Sequence, residues 1–133
     1  AEIQTSIEQY FSAYWSETAL TYENAPFDSE IYTEFSRLTI RFGTIERRSL
    51  GIECFRIPGV VIIQLFVRPG IGINRLVKLS DIVTALFMNT AIPLDSTGDY
   101  VQFNIASLDK MTAEYNGWIQ ANVSITFYHD IRI

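Results

Sequence analysis

The chain has 133 residues, of which 48% are hydrophobic and 19% are charged, and its formal net charge is −5. This length is that of a single domain, the apolar content excludes a disordered chain, and the single cysteine, Cys54, excludes an internal disulfide framework. The N-terminus has no signal-peptide pattern and the apolar run at 60–67 is too short to cross a membrane, so a soluble intracellular protein is expected.

The chain begins with the pattern of an amphipathic helix. Apolar residues recur every three or four positions from Ile3 to Trp15, which predicts a helix over about residues 2–16 with one core-facing stripe. A short strand over residues 19–24 is expected next. It should end before Pro26, because the residue that precedes a proline is held in an extended conformation and the proline cannot donate a backbone hydrogen bond.

Residues 35–58 predict a strand and then an arm. Residues 35–42 alternate apolar with polar side chains, which is the pattern of a strand with one buried face. The segment 43–58 mixes arginines with large apolar residues and is predicted to form a two-stranded hairpin arm that leaves the sheet. Such an arm buries little of its own surface and is marginal alone.

The middle of the chain predicts a central strand and a second helix. The run VVIIQLFV at 60–67 is almost entirely apolar, which is typical of a strand buried on both faces. Its core residues are expected to be Val61, Ile63, Leu65 and Val67. The next apolar residues follow helical spacing and predict a helix over about residues 74–88, with a stripe of Leu76, Leu79, Val83, Leu86 and Phe87.

The last third predicts a loop and two strands. Residues 89–99 are rich in turn-forming residues and are expected to form a loop. Residues 100–106 and 118–127 are predicted strands. The element order predicts one α+β domain over residues 1–133, a mixed, mainly antiparallel β-sheet with two main helices packed on one face and a protruding β-hairpin arm.

The charges are divided unevenly along the chain. Residues 1–36 contain seven acidic residues and no Lys or Arg, whereas residues 37–78 contain eight basic residues against two acidic ones. The two segments could neutralise each other within one fold, or acidic and basic faces of successive copies could meet around a ring. A nucleic-acid groove is a third interpretation, and the net acidity weighs against it.

The residue types that carry enzyme chemistry are scarce. Cys54 and the single His129 could in principle form a nucleophile and base, but a buried inert thiol is the better interpretation. The turn at 70–72 lacks the third glycine of a phosphate-binding loop, and the turn at 95–98 lacks the spacing of an aspartic-protease motif. One histidine and one cysteine are too few for a metal site. The sequence therefore predicts no enzyme and no metal or other cofactor.

Several segments, taken in order, resemble the tail terminator proteins of long-tailed bacteriophages. They are the N-terminal helix, TYENAPF at 21–27, SRLTIRF at 36–42, the arm, VVIIQLFVRPGIGINRLVKLSDIVTALF at 60–87, and the closing strand WIQANVSITFYHD at 118–130. The likeness extends over nearly the whole chain, and the order and spacing of the segments carry it.

This resemblance implies a structural protein of the virion with no active site and no cofactor. A ring of about six copies would cap the completed tail tube, end its polymerisation and provide the head-docking surface. The partners would be other copies of the chain, the tail tube protein and a head-completion or connector protein. DNA would pass through the lumen without specific binding. The location would be the head-proximal end of the tail, and the host cytoplasm during assembly.

Two groups of residues are predicted to matter for that role. The arm should contact a neighbouring subunit or the tube, because arginines beside large apolar groups suit the centre of an interface. Its predicted interface residues are Arg47, Arg48, Leu50, Phe55 and Arg56. The Asn-x-Pro stretch is predicted to form a structural corner, or alternatively part of the subunit interface, with Phe27 packed near Tyr10 and Trp15. The corner residues are Tyr22, Asn24, Pro26 and Phe27.

Two other functions are compatible with the same residues. A head-completion protein or another neck connector ring protein would share the small size and the ring assembly. A small ligand-binding or nucleic-acid-binding module would instead be a monomer that its ligand stabilises.

Overall fold

The described residues of the chain fold around one seven-stranded sheet. The computed structural model describes residues 2–16, 18–22, 34–47, 54–68, 73–93, 100–115 and 118–132. In chain order, its elements are α1 (Glu2–Tyr14), β1 (Ala19–Tyr22), β2 (Glu34–Phe42), β3 (Glu46–Arg47), β4 (Cys54–Val67), α2 (Ile73–Phe87), β5 (Ala91–Pro93), β6 (Tyr100–Tyr115) and β7 (Trp118–Arg132). The strand order is β1-β2-β4-β7-β6-β5, and β3 pairs with β4 beyond the end of β2. Only the β1–β2 pair is parallel among these described strands.

The sheet has two different faces. Both helices pack on one of them, which we call the covered face. Side chains alternate between the faces along each strand, so every second residue of β4 and β7 enters the core. The fully buried residues of these two strands are Val61, Ile63, Leu65, Val67, Ala121, Val123 and Ile125. The opposite side, which we call the outer face, carries neither of the two described helices.

Helix α1 follows from its apolar stripe. Ile7, Phe11 and Trp15 lie one turn apart and are all buried. The ring of Phe11 packs on that of Phe87, with 5.7 Å between centroids. The indole N–H of Trp15 donates to the hydroxyl of Thr18 at 3.0 Å, which fixes the chain between α1 and β1.

Helix α2 presents Leu76, Leu79, Val83 and Phe87 to the core, and all four are fully buried. It ends because Asn89 adopts a left-handed backbone conformation, with φ at 54°, a frequent way of closing a helix. The Asn89 N–H then donates to the Asn104 carbonyl at 3.0 Å and brings the chain alongside β6.

The predicted fold class is confirmed, and so are both helices to within two residues at each end. The predicted loop at 89–99 was wrong in part, because it contains the edge strand β5. The last two predicted strands were too short, since β6 continues to Tyr115 and β7 to Arg132. Backbone pairing with a neighbouring strand stabilises these extensions. Their side chains do not alternate regularly between apolar and polar, so the sequence pattern did not reveal them.

The arm is also different from the two-stranded hairpin that was predicted. Strand β4 stays paired with β7 along its whole length, from Cys54 opposite Arg132 to Val67 opposite Ile119. Strand β3 adds to the outer end of β4, with Arg47 opposite Phe55. The arm is therefore a three-stranded extension of the main sheet.

The central strand was predicted to be buried on both faces, and this was wrong. Val61, Ile63, Leu65 and Val67 are fully buried on the covered face. The residues between them, Val60, Ile62, Gln64 and Phe66, are only half-buried. The reason is that both described helices lie on the same side of the sheet.

Candidate interaction surface

The outer face is basic although the chain as a whole is acidic. The register of β2, β4 and β7 places four arginines and one aspartate on this side among the described side chains: Arg37, Arg41, Arg56, Arg68 and Asp130. Four positive charges and one negative charge sum to +3, against −5 for the whole chain. The described side chains of the outer face therefore carry a net charge opposite in sign to that of the whole chain.

Three of these arginines lie over aromatic rings. The guanidinium carbon is 5.7 Å from the ring centroid for Arg37 on Phe66, 3.8 Å for Arg56 on Tyr128 and 3.7 Å for Arg68 on Trp118. A cation over a ring is attracted by the negative face of the π-system. These contacts hold the guanidinium groups against the sheet and cover ring faces that would otherwise be open to a stacking ligand.

An aromatic cluster occupies one end of the outer face. Phe35 stacks on Phe66 with 4.4 Å between centroids, and Trp118 meets Phe35 edge-on at 4.8 Å. Phe35 and Trp118 are buried although no described helix lies on this side. The rings cover one another and give the outer face a firm apolar base beneath its arginines.

A shallow depression of about 210 Å³ lies between β2 and β4 on the outer face. Its lining consists of Arg37, Thr39, Arg41, Ile62 and Gln64. Two guanidinium groups, a hydroxyl and an amide are the donors that hold a carboxylate or another small anion. We call this depression the arginine notch. The alternation in residues 36–42 indicated that both arginines share a face, but only the sheet register could show that Gln64 lies opposite Arg37.

Arg56, one of the predicted interface residues, has partners within its own chain. Its Nε and Nη2 atoms lie 2.8 and 3.1 Å from the two carboxylate oxygens of Asp130, which is its neighbour across the β4–β7 pair. This two-point ion pair, with the Tyr128 ring beneath the guanidinium, fixes the arginine at the base of the arm.

The other predicted arm and corner residues are only partly described. Arg47 lies in β3 and Phe55 is half-buried in β4. Arg48 and Leu50 lie outside the described residues. Tyr22 is the last residue of β1, and Asn24, Pro26 and Phe27 also lie outside the described residues. Phe55 and Arg56 both lie in β4, where consecutive side chains point to opposite faces of the sheet.

Large apolar side chains are exposed at two separate places on the sheet. Phe42 and Ile45, at the junction of β2 and the arm, are 46% and 59% exposed. On β6, which β4 and β7 separate from that junction, Ile105 is 70% exposed and Leu108 47%. The sequence placed an interface at the arm, but not at β6, whose outer half was not predicted as a strand.

One charge pair joins the acidic and basic segments within the fold. Arg75 of α2 contacts both carboxylate oxygens of Glu34 through Nη2 and Nε, at 2.7 and 3.0 Å. Both side chains are largely buried. This pair supports neutralisation inside one fold, whereas the arginines of the outer face lie on the opposite side of the sheet from α1.

Cys54 and His129 do not form a pair. Cys54 lies opposite Arg132 and His129 lies opposite Ile57, so three strand positions, about 10 Å, separate them. His129 is buried, and its Nδ1–H donates to the carbonyl of Tyr100 at 3.1 Å. Among the described residues, no group of three His, Cys, Asp or Glu side chains could hold a metal ion.

Comparison with known proteins establishes the fold and not the function. No family model matches the chain, and no curated protein matches it either. Several solved protein structures match, and one of them superposes on it with a TM-score of 0.73 at 18% sequence identity, covering 96% of this chain and 93% of the other. At that identity the likeness concerns the fold alone. Neither α1 nor α2 is long and apolar enough to cross a membrane.

Proposed function

We propose that the chain is a structural virion protein of a long-tailed bacteriophage. About six copies form a ring that caps the completed tail tube, ends its polymerisation and provides the surface to which the head docks. The ordered resemblance described above supports this role. The structural observation that carries it is the exposure of large apolar side chains at two separate places, the arm junction and β6.

A ring requires two different surfaces on each subunit. In a head-to-tail ring, the surface that a subunit offers to the next copy is not the surface that it offers to the previous one. Phe42 and Ile45 lie on one side of β4 and β7, and Ile105 and Leu108 lie on the other. Exposed apolar groups of this size are typical of surfaces that a partner covers. Two such places on one subunit favour a head-to-tail ring over a symmetric dimer.

The alternative of a nucleic-acid-binding module finds less support. Proteins that bind single strands stack bases on open aromatic rings. On the outer face, Phe66, Trp118 and Tyr128 each lie beneath a guanidinium group. A neck connector ring is compatible with the same surfaces, so the two ring functions must be separated by experiment.

Native mass spectrometry of the purified chain tests ring assembly. The wild type is expected to form a ring of about six, and Ile45→Asp or Ile105→Asp should each shift the population to monomer, because a carboxylate in an apolar contact loses hydration. Val77→Asp is the matched control, since Val77 is 41% exposed on α2, away from both places. Assembly by Ile45→Asp and Ile105→Asp at wild-type concentrations would remove the structural basis of the proposal.

Complementation of a phage that lacks this protein separates the two ring functions. Electron microscopy of a tail terminator defect should show overlong tails, whereas a neck connector defect should leave tails of normal length beside unjoined heads. Reversing the arm charges with Arg47→Glu and Arg48→Glu is expected to give overlong tails or tails that fail to join heads, with unchanged circular dichroism. Normal tails joined to heads would exclude the arm from tube attachment.

A further inference from the structure

We infer that a β-bulge at Asn104 and Ile105 of β6, held by the C-terminal end of α2, positions the apolar contact that β6 makes with the next copy. Asn89, which ends α2, is then a positioning residue for that contact. The inference rests on the ring assembly proposed above and deepens it, because it assigns the part of the fold that places one apolar surface of the ring. Three observations carry it: the register of β6, a backbone hydrogen bond and the burial of neighbouring residues.

The register of β6 against β7 shifts by one residue at this point. Phe103 lies opposite Phe127, whereas Ala106 lies opposite Ile125. Between these two pairs, β6 contains two residues and β7 contains one. Two residues against one is the pattern of a β-bulge, in which the strand bends and the backbone groups of the extra residue leave the regular ladder.

A hydrogen bond from the end of α2 holds the bulge. The Phe103 N–H donates to the Thr90 carbonyl at 2.8 Å, on the side of β6 that faces β5. In a regular strand, the backbone groups of the next residue, Asn104, would point to the other side, towards β7. The Asn104 carbonyl instead accepts from the Asn89 N–H at 3.0 Å. The bulge thus turns this carbonyl towards α2, and the left-handed conformation of Asn89 places the donor.

The bulge determines which side chains of β6 enter the core. Ala106 takes the position opposite Ile125 and is 8% exposed, whereas Ile105 is 70% exposed. Without the extra residue, the alternation along β6 would bring Ile105 into that core position. Leu108, which is 47% exposed opposite Val123, would shift to the other face of the sheet. Both exposed apolar residues of β6 therefore owe their positions to the bulge.

The bulge lies at the edge of the described sheet, because β5 pairs with β6 only over residues 100–102 among the described strands. Bulges at sheet edges hinder the addition of a foreign strand, but a polar side chain at position 105 would serve that purpose as well. A large apolar side chain is instead explained by a partner that buries it. In the head-to-tail ring that partner is the next copy, whose Phe42 and Ile45 present the other apolar surface.

Deletion of Asn104 tests the bulge in the whole chain. It removes the extra residue and keeps every later pair of β6 with β7, but it moves Ile105 into a regular position opposite Thr126. Native mass spectrometry should show that this variant needs at least about tenfold more protein than the wild type to form rings, because the next copy no longer buries the isoleucine. Hydrogen exchange should show faster exchange of the Asn89 amide, whose acceptor is gone.

Deletion of Asp109 is the matched control. A second register shift lies between Leu108 and Lys110, where Asp109 is the extra residue. Its removal also shortens β6 by one residue, but it leaves Ile105 and Leu108 at their present positions. This variant should form rings at wild-type concentrations, with unchanged protection of the Asn89 amide.

Substitutions at Asn89 test the hydrogen bond to the bulge without changing β6. Its φ of 54° is a conformation that glycine adopts freely and a β-branched residue does not. Asn89→Gly should therefore form rings as the wild type does, whereas Asn89→Val should need severalfold more protein. Urea unfolding of both variants separates this effect from folding. A merely structural role of Asn89 would lower the urea midpoint of Asn89→Val and leave ring formation by its folded fraction unchanged.

The outcomes distinguish this inference from the ring proposal. A wild type that is monomeric at every concentration overturns both. Rings that are lost in Ile105→Asp but form normally after deletion of Asn104 overturn the inference alone, and the bulge then only protects the edge of the sheet. If deletion of Asn104 prevents folding, the two Asn89 variants decide. Equal ring formation by Asn89→Gly and Asn89→Val would overturn the inference.

Discussion

The covered face and the outer face are formed by alternate residues of the same strands, yet their side chains are buried to different degrees. On β4, Ile63 is fully buried under the helices, whereas its neighbour Ile62 is half-buried beside two arginines. The covered face is closed by packing within the chain. The described side chains of the outer face combine half-buried apolar groups with four arginines and one aspartate. The difference teaches that the alternation along one strand separates a face that closes the core from a face whose side chains stay partly hydrated.

The polar groups of the two faces also differ in how deeply they are buried. On the covered side, the buried hydroxyl of Ser80 donates to the carbonyl of Leu76 at 2.9 Å, and the buried Ser36 hydroxyl accepts from Thr18 at 3.0 Å. Among the described residues, no buried side-chain nitrogen or oxygen lacks a partner. On the outer side, two guanidinium groups border an open depression. Substitutions on the two faces should therefore affect different measurements.

The largest effect is expected at the centre of the covered face. Ile63→Ala should lower the free energy of unfolding by about 2–5 kcal/mol, because it removes buried methyl groups and leaves a cavity. Ile62→Ala, one residue away on the outer face, should lower it by less than about 1.5 kcal/mol, since Ile62 is already partly hydrated. Urea unfolding of both variants measures the difference. Equal losses would mean that the outer face is also closed within the chain.

A somewhat smaller effect is expected at Gly59 of β4, which the neighbouring strands β2 and β7 both approach closely. A Cβ on Gly59 would lie 2.4 Å from the Phe127 ring and 2.8 Å from the carbonyl oxygen of Arg41. The backbone oxygen cannot move without disturbing the β2–β4 pairing, so Gly59→Ala should cost about 1–3 kcal/mol. Gly43→Ala is the control, because its nearest contact is a Pro58 ring carbon at 3.1 Å. Equal urea midpoints for the two variants would contradict the close approach.

A third prediction concerns the contact between the two helices. The Tyr10 hydroxyl donates to the Leu86 carbonyl at 2.7 Å, so Tyr10→Phe should cost about 0.5–1.5 kcal/mol. Burial, and to a smaller extent the neighbouring Tyr14, raises the pKa of Tyr10. Because the folded-state pKa lies above the unfolded value of about 10, this contribution is complete below about pH 10 and is lost as the pH rises through the folded-state pKa.

The pH dependence can be assigned to this residue by comparing variants. Wild-type stability should fall as the pH rises above about 10, and the fall should be smaller in Tyr10→Phe. Tyr100→Phe serves as the control for the loss of a tyrosine hydroxyl, because Tyr100 is 54% exposed. Urea unfolding across this pH range provides the measurement. An identical slope in Tyr10→Phe would show that other groups govern alkaline stability.

The smallest effect on stability is expected on the outer face. Arg37→Met keeps an apolar side chain near Phe66 and removes a cation–π contact at 5.7 Å, so the free energy of unfolding should change by less than about 1 kcal/mol. Urea unfolding of this variant beside Ile63→Ala measures the difference. A loss as large as that of Ile63→Ala would show that the outer face contributes to folding as much as the covered face does.

The sequence alone determined the elements in which burial of one side requires apolar residues at regular intervals. Ile7, Phe11 and Trp15 predicted the face of α1, and Leu76 to Phe87 predicted that of α2, because a helix with one buried side must repeat apolar residues every three to four positions. The α+β class followed from the order of these elements. Alternation in residues 36–42 also placed Arg37 and Arg41 on one side of β2.

Only the tertiary structure showed which distant parts of the chain pair with each other and where the paired strands end. β5 and the extensions of β6 and β7 are held by backbone hydrogen bonds to their neighbours, and such bonds place no demand on side-chain type. For the same reason the sequence could not show that the arm shares β7 with the sheet, or that Arg56 meets Asp130. The arginine notch needs Gln64 beside Arg37, and the apolar pattern of β4 is the same whether its second face is covered by its own helices or by another copy. Which face the helices cover depends on the path of the whole chain, and no local pattern encodes that path.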